Sequence, residues 1–234
     1  MKIHRFIDPS FNLDSDSLVV TNPEIVNQWV NVLRFKISDK LVVCDGSSFE
    51  SQATIVKIAG GTIELSLDGK TKNQNEPNRQ VYLYCAVLKK ENFELVVQKS
   101  IEAGVTKIIP IKTERTIKQN LRVDRLQKIA QEAAEQSGRG IVPEIAGVMD
   151  FAPALAEAVS RGEIFLFDLT ASKMFTEKSP AKDLINIFIG PEGGFSETEV
   201  AQAKESGAQI SSLGRLTLRA ETAVIVATWA SANL

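Results

Sequence analysis

The first third of the chain carries alternating hydrophobic and polar residues, which is the pattern of half-buried β-strands. The predicted strands are residues 41–44, 49–55 and 63–67. Gly60-Gly61 predicts the turn between the last two strands. One helix is predicted at residues 22–33, because Pro23 suits the first turn of a helix. We therefore predict that this region forms a small β-barrel with one helix.

Residues 69–80, with the sequence GKTKNQNEPNRQ, separate this region from the rest of the chain. Apart from Pro77, the stretch has no apolar side chain, so it cannot bury itself and is typical of a linker or an exposed loop. We therefore predict two domains, residues 1–70 and residues 71–234.

After this stretch, short apolar strands alternate with helices. The predicted strands are residues 81–87, 106–111, 164–169, 185–189 and 209–213. The predicted helices are residues 91–103, 123–137, 151–160, 196–206 and 221–232. Such alternation favours an α/β fold, in which a parallel sheet is covered by helices on both faces.

The densest signal in this second region is IGPEGGFS, residues 189–196, which joins an apolar strand to a helix. Ser196 and Glu199 fit a capping box, which places the helix start just after the loop. The glycines would let the backbone approach a ligand at the carboxyl end of a strand, where open α/β sheets bind ligands. They would equally suit a tight strand-to-helix turn, and the loop alone leaves both interpretations open.

The charge in this loop bears on the kind of ligand. The loop matches neither GxGxxG nor GxxxxGK[ST], the two common phosphate-binding patterns. Glu192 adds a carboxylate, which would repel a pyrophosphate, so the loop favours a neutral or cationic ligand over NAD or ATP. S-adenosylmethionine, which carries a sulfonium and an ammonium and no phosphate, meets that condition.

A second loop, LGRLTLRAETA at residues 213–223, follows the last predicted strand and opens the last predicted helix. Since both loops follow strands of one predicted parallel sheet, we expect them at the same edge. Leu216 and Leu218 either form the wall of a pocket or pack beneath the helix. Arg219 and Glu221 either act on a ligand or form a surface ion pair of little energetic value.

Composition excludes one class of function and leaves another open. The chain has 27 Lys and Arg against 29 Asp and Glu, which argues against nucleic-acid binding by bulk positive charge. Basic residues nevertheless cluster locally, near Arg5 and Arg34 and again at Lys112, Arg115, Lys118, Arg122, Arg125 and Lys128. Such a cluster is either a solvated face or a phosphate track for RNA.

Cysteine and histidine are rare in this chain. Cys44 and Cys85 lie in apolar runs without any CxxC pattern, so we predict two buried thiols, no disulfide framework and no metal site. His4 is the only histidine, and we expect it to be exposed and non-catalytic. The amino terminus lacks the apolar core of a signal peptide, and no apolar stretch reaches the roughly 18 residues that span a bilayer. We therefore predict a soluble, cytoplasmic protein with no membrane partner.

Four segments occur in a fixed order: VLKKENFELVVQKSIEAGVTKIIPIKTERT, IAQEAAEQSGRGIVPEI, FIGPEGGFSETE and LGRLTLRAETA. In this combination they resemble the bacterial 16S ribosomal RNA (uracil-N3)-methyltransferase family of the SPOUT superfamily. With HRF and VLRFKISDKLVVCDG nearer the amino terminus, the resemblance covers essentially the whole chain.

The resemblance implies a PUA-like RNA-binding β-barrel for residues 1–70 and a SPOUT domain with a deep trefoil knot for residues 71–234. It implies a homodimer that uses S-adenosylmethionine to methylate N3 of one uridine in 16S ribosomal RNA of the small ribosomal subunit. The implied cofactor-binding residues are Phe167, Ile189, Gly190, Pro191, Glu192, Gly193, Gly194, Leu213, Gly214, Leu216, Leu218 and Arg219.

RNA-binding residues are predicted from the basic clusters and from the resemblance together. The basic positions of the family match Arg115 and Arg139, and Gln136 falls in its AAEQSxR motif. The full predicted set is Arg5, Arg34, Arg115, Lys118, Gln136 and Arg139.

Methyl transfer from a sulfonium needs no protein nucleophile, because the cofactor carries the reactive group. The enzyme must instead manage the proton on N3 of the uracil ring. An arginine near the carbonyl oxygens would stabilise the developing anion, and a carboxylate or water would accept the proton. We predict Arg219 for the electrostatic role, and Glu192 or Glu221 for positioning or proton transfer.

Two other functions remain open. The chain has Asn27-Gln28-Trp29 where the family often has a His-rich stretch, which would permit a SPOUT methyltransferase that acts on another RNA or another base. A non-catalytic RNA-binding protein, in which the glycine loops are only turns, is the second alternative. Binding of S-adenosylmethionine separates the second alternative from both enzymes, and methylation mapping separates the two enzymes.

Overall fold

A computed structural model of the chain describes residues 3–116, 120–175 and 183–234. The chain forms two compact units. The first comprises Met1–Glu76 with Ala134–Val142, and the second comprises Pro77–Ala133 with Pro143–Leu234.

The first unit is built on one mixed sheet. Its strands are β1 (His4–Ile7), β2 (Ser17–Val20), β3 (Lys40–Cys44), β4 (Phe49–Ala59), β5 (Thr62–Leu67) and β6 (Thr71–Lys72). The order is β1-β3-β4-β5-β2, with β6 on β4, and only the β1–β3 pair is parallel. In the described residues no pairing joins β1 to β2, so the sheet is open and the predicted closed barrel is not confirmed.

The predicted helix at residues 22–33 is shorter and less regular than expected. Helix α1 covers only Pro23–Asn27, with Asn22 as its side-chain N-cap, and a π-helical turn follows at Gln28–Val32. This wider turn includes Trp29, which is fully buried against Phe6 of β1 with 4.5 Å between ring centroids. Burial of the large indole in the core therefore accompanies the departure from α-helical geometry.

The apolar residues of β3, β4 and β5 form the core of the first unit, and Leu41, Ile55, Ile63 and Leu65 are fully buried. The polar stretch that follows is not a free linker. Strand β6 lies within it, Asn73 is buried, and Asn73 Nδ2 donates to the carbonyl oxygen of Gly138 at 3.0 Å. Hydrogen bonds thus order a segment that has almost no hydrophobic residue.

The second unit is an α/β structure. Its strands are β7 (Gln80–Ala86), β8 (Lys107–Lys112), β9 (Glu144–Ile145), β10 (Met149–Asp150), β11 (Glu163–Phe167), β12 (Leu184–Ile189) and β13 (Gln209–Ser211). Its helices are α2 (Lys90–Glu102), α3 (Val123–Ser137), α4 (Phe151–Arg161), α5 (Glu197–Glu205) and α6 (Ala220–Asn233), and the last residues of α3 are counted with the first unit. The sheet order is β10-β8-β7-β12-β11-β13, with β9 on β8, and every pair is parallel.

Helices cover both faces of this sheet, as predicted. Tyr84 and Phe188 stack in parallel at 4.4 Å between centroids, in a core that includes Phe151 of α4 and Ala203 of α5. Helix α6 contacts β7 and β12 and also packs against α2. Because neighbouring residues of a strand point to opposite faces, the apolar runs of β7 and β12 serve two layers of helices.

The register of the sheet aligns the carboxyl ends of its central strands. Ile189 of β12 lies opposite both Cys85 of β7 and Phe167 of β11, and Phe167 lies opposite Ser211 of β13. The loops that follow these strands therefore begin at the same edge of the sheet, as the sequence predicted.

The predicted strands and helices of the second region are confirmed to within a few residues at their ends. The short strands β9 and β10, like β1, β2 and β6 in the first unit, were not predicted. Each is at most four residues long, too short to display a period in the sequence.

Candidate active site

A cleft of about 1060 Å³ opens at the carboxyl edge of the parallel sheet in the second unit. It is lined by residues that follow β7, β8, β11, β12 and β13. Every residue predicted to bind the cofactor lies on its wall: Phe167, Ile189, Gly190, Pro191, Glu192, Gly193, Gly194, Leu213, Gly214, Leu216, Leu218 and Arg219. Glu221 lines the cleft as well. The structure thus brings together residues more than 50 positions apart in the sequence.

The glycine-rich loop after β12 is tightly folded. A Cβ atom on Gly190 would lie 3.2 Å from the carbonyl carbon of Gly194 and from the backbone nitrogen of Phe195. Gly194 has a φ of 68°, in the left-handed region, and its N–H donates to the carbonyl oxygen of Pro191 at 2.8 Å. A side chain is therefore disfavoured at both positions, at Gly190 by the space available and at Gly194 by the backbone conformation.

The helix after this loop begins as predicted, with a capping box. Ser196 Oγ accepts a hydrogen bond from the backbone N–H of Glu199 at 3.2 Å, and Glu199 Oε2 accepts one from the backbone N–H of Ser196 at 2.9 Å. Phe195, just before the cap, is buried against Phe151. These contacts fix the point at which the loop ends.

The turn after β8 contacts the glycine-rich loop. Arg115 Nη1 donates to the carbonyl oxygen of Gly193 at 2.7 Å, and the backbone N–H of Glu114 donates to Glu199 Oε1 at 2.9 Å. Arg115 is exposed and lines the cleft. A residue predicted to bind RNA therefore contacts the loop predicted to bind the cofactor.

The second loop, between β13 and α6, also lines the cleft. Gly214 has a φ of 125°, and Leu216 is 78% exposed, so Leu216 does not pack beneath the last helix. Arg219 is exposed at the N-cap position of α6, and Glu221 lies half-buried in the first turn. Among the described residues no ion pair joins these two side chains, so both remain available to a ligand.

The segment after β11 completes the cleft. Asp168, Leu169 and Thr170 line it, and this segment pairs with the end of β13, where Phe175 N–H donates to the carbonyl oxygen of Ser212 at 2.9 Å. These residues were not predicted from the sequence, and neither were Lys89 and Asn92 after β7 or Glu197 and Lys204 of α5, all of which line the cleft. Their positions after parallel strands were the available signal, but no motif marks them.

The other residues predicted to bind RNA lie in the first unit, except Lys118, which falls outside the described residues. Arg34 is exposed with a φ of 59°, and Gln136 is exposed. Arg5 is ion-paired with Glu50 at 2.5 Å. Arg139 is ion-paired with Glu76 at 2.8 Å, and only 6% of its side chain is exposed. Arg34 and Gln136 thus offer more surface to a ligand than Arg5 and Arg139 do.

Both cysteines are free and buried, as predicted. Burial raises the pKa of the Cys44 thiol to about 11, although the charge of Arg5, which donates to Cys44 Sγ at 3.0 Å, acts to lower it. Burial likewise raises the pKa of Cys85, at the end of β7, and the charge of Glu192 adds to that shift. Both thiols are therefore protonated and unreactive near neutral pH.

Within the described residues, no group of three or more His, Cys, Asp and Glu side chains is arranged to hold a metal ion. In the same part of the chain, no helix has both the length and the apolar character needed to cross a membrane.

Comparison with known proteins identifies relatives of the whole chain. Residues 74–231 match the family model of an RNA methyltransferase domain. The ribosomal RNA small subunit methyltransferase E of Mesomycoplasma hyopneumoniae is 30% identical in an alignment of 184 residues that covers 76% of this chain and 80% of that protein. The protein of the same name from Bacillus subtilis is 29% identical and covers 87% of this chain and 85% of its own length.

Solved structures of methyltransferases are also similar to this chain. Ribosomal RNA small subunit methyltransferase E from Neisseria gonorrhoeae, solved with bound S-adenosyl methionine, has a TM-score of 0.89 at 29% identity and covers 97% of this chain and 95% of its own. A putative methyltransferase from Legionella pneumophila, solved with its bound cofactor, has a TM-score of 0.85 at 27% identity and covers 97% of this chain and 96% of its own. The likeness therefore extends over both units.

Proposed function

The chain belongs to the RNA methyltransferase family, and from this premise we propose that it methylates N3 of one uridine in 16S ribosomal RNA, with S-adenosylmethionine as the methyl donor. The observation that carries the proposal is the cleft at the carboxyl edge of the sheet, where two glycine-containing loops face a space of about 1060 Å³. That volume lies just above the range of about 300–1,000 Å³ that is usual for small-molecule sites.

The residues of the cleft fit this cofactor. Three of the five residues from Gly190 to Gly194 are glycines without a side chain, so backbone groups of the loop would contact the ligand directly. Glu192 gives the loop a negative charge that suits a sulfonium and an ammonium group. Leu216 and Leu218, on the second loop, would cover the apolar surface of an adenosine. When bound, the cofactor supplies an electrophilic methyl group.

The protein must hold the uracil ring in line and stabilise its loss of a proton. As the N3 proton leaves, negative charge would spread to the two carbonyl oxygens. The methyl carbon would pass to N3 as its bond to the sulfonium sulfur breaks, and the sulfur would leave as a neutral thioether. Arg219, exposed on the cleft wall, would place its guanidinium beside one of these oxygens, where charge develops. Glu192 or Glu221 would position the ring or accept the N3 proton, directly or through water.

We assign RNA binding to the first unit and to the rim of the cleft. Residues 1–70 would act as a PUA-like RNA-binding barrel, and residues 71–234 as a SPOUT domain with a deep trefoil knot. Arg5, Arg34, Arg115, Lys118, Gln136 and Arg139 are the proposed RNA contacts. Arg34 and Gln136 are the stronger candidates in the first unit, because both residues are exposed and RNA phosphates are contacted at the protein surface. The protein would act in the cytoplasm as a homodimer.

One assay tests the proposed function directly. Purified protein is incubated with methyl-labelled S-adenosylmethionine and either small ribosomal subunits or naked 16S ribosomal RNA. Both substrates come from a strain in which the gene for this protein is deleted. We expect label on one uridine, as 3-methyluridine, in at least one of the two substrates. No incorporation into either substrate would contradict the proposal, and label on another base would indicate a methyltransferase of different specificity.

Replacement of Arg219 tests the proposed mechanism. We expect Arg219→Ala to lower kcat by about 10²–10³-fold, the usual effect of removing one group that stabilises a developing oxyanion. Cofactor binding should remain measurable by calorimetry. Arg215→Ala is the matched control, because Arg215 is exposed on the same loop but does not line the cleft. Equal rates for the two variants would refute the role of Arg219.

A further inference from the structure

Glu199 is a buried carboxylate that joins two loops of the second unit. The residue is 7% exposed. Its Oε2 accepts the backbone N–H of Ser196 at 2.9 Å, at the end of the glycine-rich loop, and its Oε1 accepts the backbone N–H of Glu114 at 2.9 Å, in the turn after β8. The capping box explains only the first of these bonds, and the second reaches across 85 positions of sequence.

The turn after β8 is stabilised by hydrogen bonds between its own residues. Thr116 Oγ1 accepts the backbone N–H of Thr113 at 2.9 Å and lies 2.8 Å from Thr113 Oγ1, while the backbone N–H of Thr116 donates to the carbonyl oxygen of Thr113 at 3.1 Å. Thr113 is buried. These hydrogen bonds define the conformation of the turn.

Arg115 extends from this turn to the glycine-rich loop. Its Nη1 donates to the carbonyl oxygen of Gly193 at 2.7 Å, and the position of a Cβ on Gly193 would be 3.5 Å from Arg115 Cδ. The loop is thus held at two points, at Gly193 by Arg115 and at Ser196 by Glu199.

We infer that Glu199 and Arg115 are positioning residues that fix the glycine-rich loop in the shape that receives the cofactor, and this inference rests on the proposed function. Glycine loses more conformational freedom on ordering than any other residue, so a loop with this composition is costly to hold in one shape. Contacts that order the loop before the ligand arrives remove that cost from binding. Arg115 would then act through Gly193 on the cofactor, whether or not it also contacts RNA.

The geometry of Glu199 provides an almost isosteric test. A glutamine at this position has one acceptor oxygen and one NH₂ donor, so it can accept only one of the two backbone N–H groups. The other N–H would face the NH₂ group of the glutamine, which is also a donor, and this contact between the side chain and the backbone would be lost. We expect Glu199→Gln to raise the Kd for S-adenosylmethionine by about tenfold, which corresponds to about 1.4 kcal/mol.

Arg115→Ala removes the second contact at an exposed position and should leave the fold intact. We expect it to raise both the Kd for S-adenosylmethionine, measured without RNA, and the KM for S-adenosylmethionine severalfold. Arg115→Lys should recover part of the lost affinity. The KM for RNA should change less than the KM for the cofactor. Because both residues act on one loop, the double variant should lose less affinity than the product of the two single effects.

The control is Glu205→Gln, the same substitution at an exposed position of the same helix, α5. Calorimetry at a temperature where thermal melting shows each variant to be folded gives the comparison. If both Glu199→Gln and Arg115→Ala bind S-adenosylmethionine as tightly as Glu205→Gln does, the inference is wrong. It is also wrong if Arg115→Ala weakens RNA binding alone. Failure of the wild-type protein to bind the cofactor would overturn the proposed function instead.

Discussion

Two ion pairs of the first unit contrast with the charged residues on the cleft wall of the second unit. In the first unit, the side chains of Arg139 and Glu76 are 6% and 18% exposed and form an ion pair. Arg5 and Glu50 form another ion pair, at 12% and 22% exposed. In the second unit, Glu192 and Arg219 are exposed on the wall of the cleft, and within the described ranges no ion pair holds either of them.

The buried ion pairs stabilise the fold, whereas the exposed charges of the cleft are available for ligand binding. A buried charge that is fully hydrogen-bonded has its solvation replaced by the protein and contributes to a single arrangement of the chain. An exposed charge in a cleft keeps its hydrogen-bonding capacity for a ligand. An arginine in a basic stretch of sequence therefore indicates little by itself, and what its guanidinium contacts decides which of the two roles it has.

The largest expected effect is on the Glu76 ion pair. Glu76 Oε2 accepts from Arg139 Nη2 at 2.8 Å, and its Oε1 accepts the backbone N–H groups of Gly140 and Ile141 at 2.9 and 3.1 Å. Glu76→Ala would remove all of these acceptors and leave the buried guanidinium without its carboxylate. We expect the free energy of unfolding of the first unit to fall by about 3–5 kcal/mol, measured by urea denaturation.

The control for this substitution is Glu102→Ala. Glu102 pairs with Lys99 on the surface of α2, where the two side chains are 36% and 38% exposed, and such pairs contribute about 0–1 kcal/mol. If Glu76→Ala were no more destabilising than Glu102→Ala, the contrast between buried and exposed charges in this molecule would disappear.

The next effect concerns the cleft, where the backbone and not a charge is constrained. A Cβ on Gly190 would meet backbone atoms at 3.2 Å, whereas one on Gly193 would meet only the flexible Arg115 side chain at 3.5 Å. We expect Gly190→Ala to lower the free energy of unfolding by about 1–3 kcal/mol, because the loop must shift. Gly193→Ala should stay within about 0.5 kcal/mol of the wild type. Equal unfolding midpoints in urea would show that the loop is looser than its geometry indicates.

The cleft was the more predictable of these two regions. Strand β12, the glycine-rich loop and the capping box of Ser196 and Glu199 are consecutive in the chain, so their spacing in the sequence reports their structure. The parallel order of the sheet then places the loop from β13 at the same edge. Local pattern and a general rule of topology were sufficient to bring Gly190 and Arg219 together.

The first unit was less predictable because its distinctive contacts join distant positions. Arg139 lies 63 residues after Glu76, and Asn73 is held by Gly138, 65 residues away. Hydrogen bonds between such positions leave no period or motif in the sequence. The polar stretch was therefore predicted to be a linker or an exposed loop, and the burial of Asn73 within it was missed. The second bond of Glu199, to Glu114, was missed for the same reason.

The smallest expected effect is a dependence of stability on pH that comes from the first unit. Burial acts to raise the pKa of Glu50, but hydrogen bonds from Arg5 and Asn73 outweigh it and hold the pKa below its ordinary value near 4.5. Because the folded-state pKa is the lower one, the unfolded chain binds more protons as the pH falls. The stabilisation is therefore fully present above about pH 4.5 and is lost as the pH falls through the folded-state pKa.

Glu50→Gln tests this prediction by removing the titrating group. Unfolding in urea at about pH 6 and about pH 3.5 should show that the variant loses less stability over this interval than the wild type does, although it is less stable at the higher pH. Glu64→Gln is the matched control, because Glu64 pairs with Lys57 at the surface, where the side chains are 38% and 59% exposed, and water screens that pair. It should retain the pH dependence of the wild type. If Glu50→Gln retained it as well, the Arg5–Glu50 pair would contribute no more than a surface pair, and the contrast between the two units would rest on Glu76 and Arg139 alone.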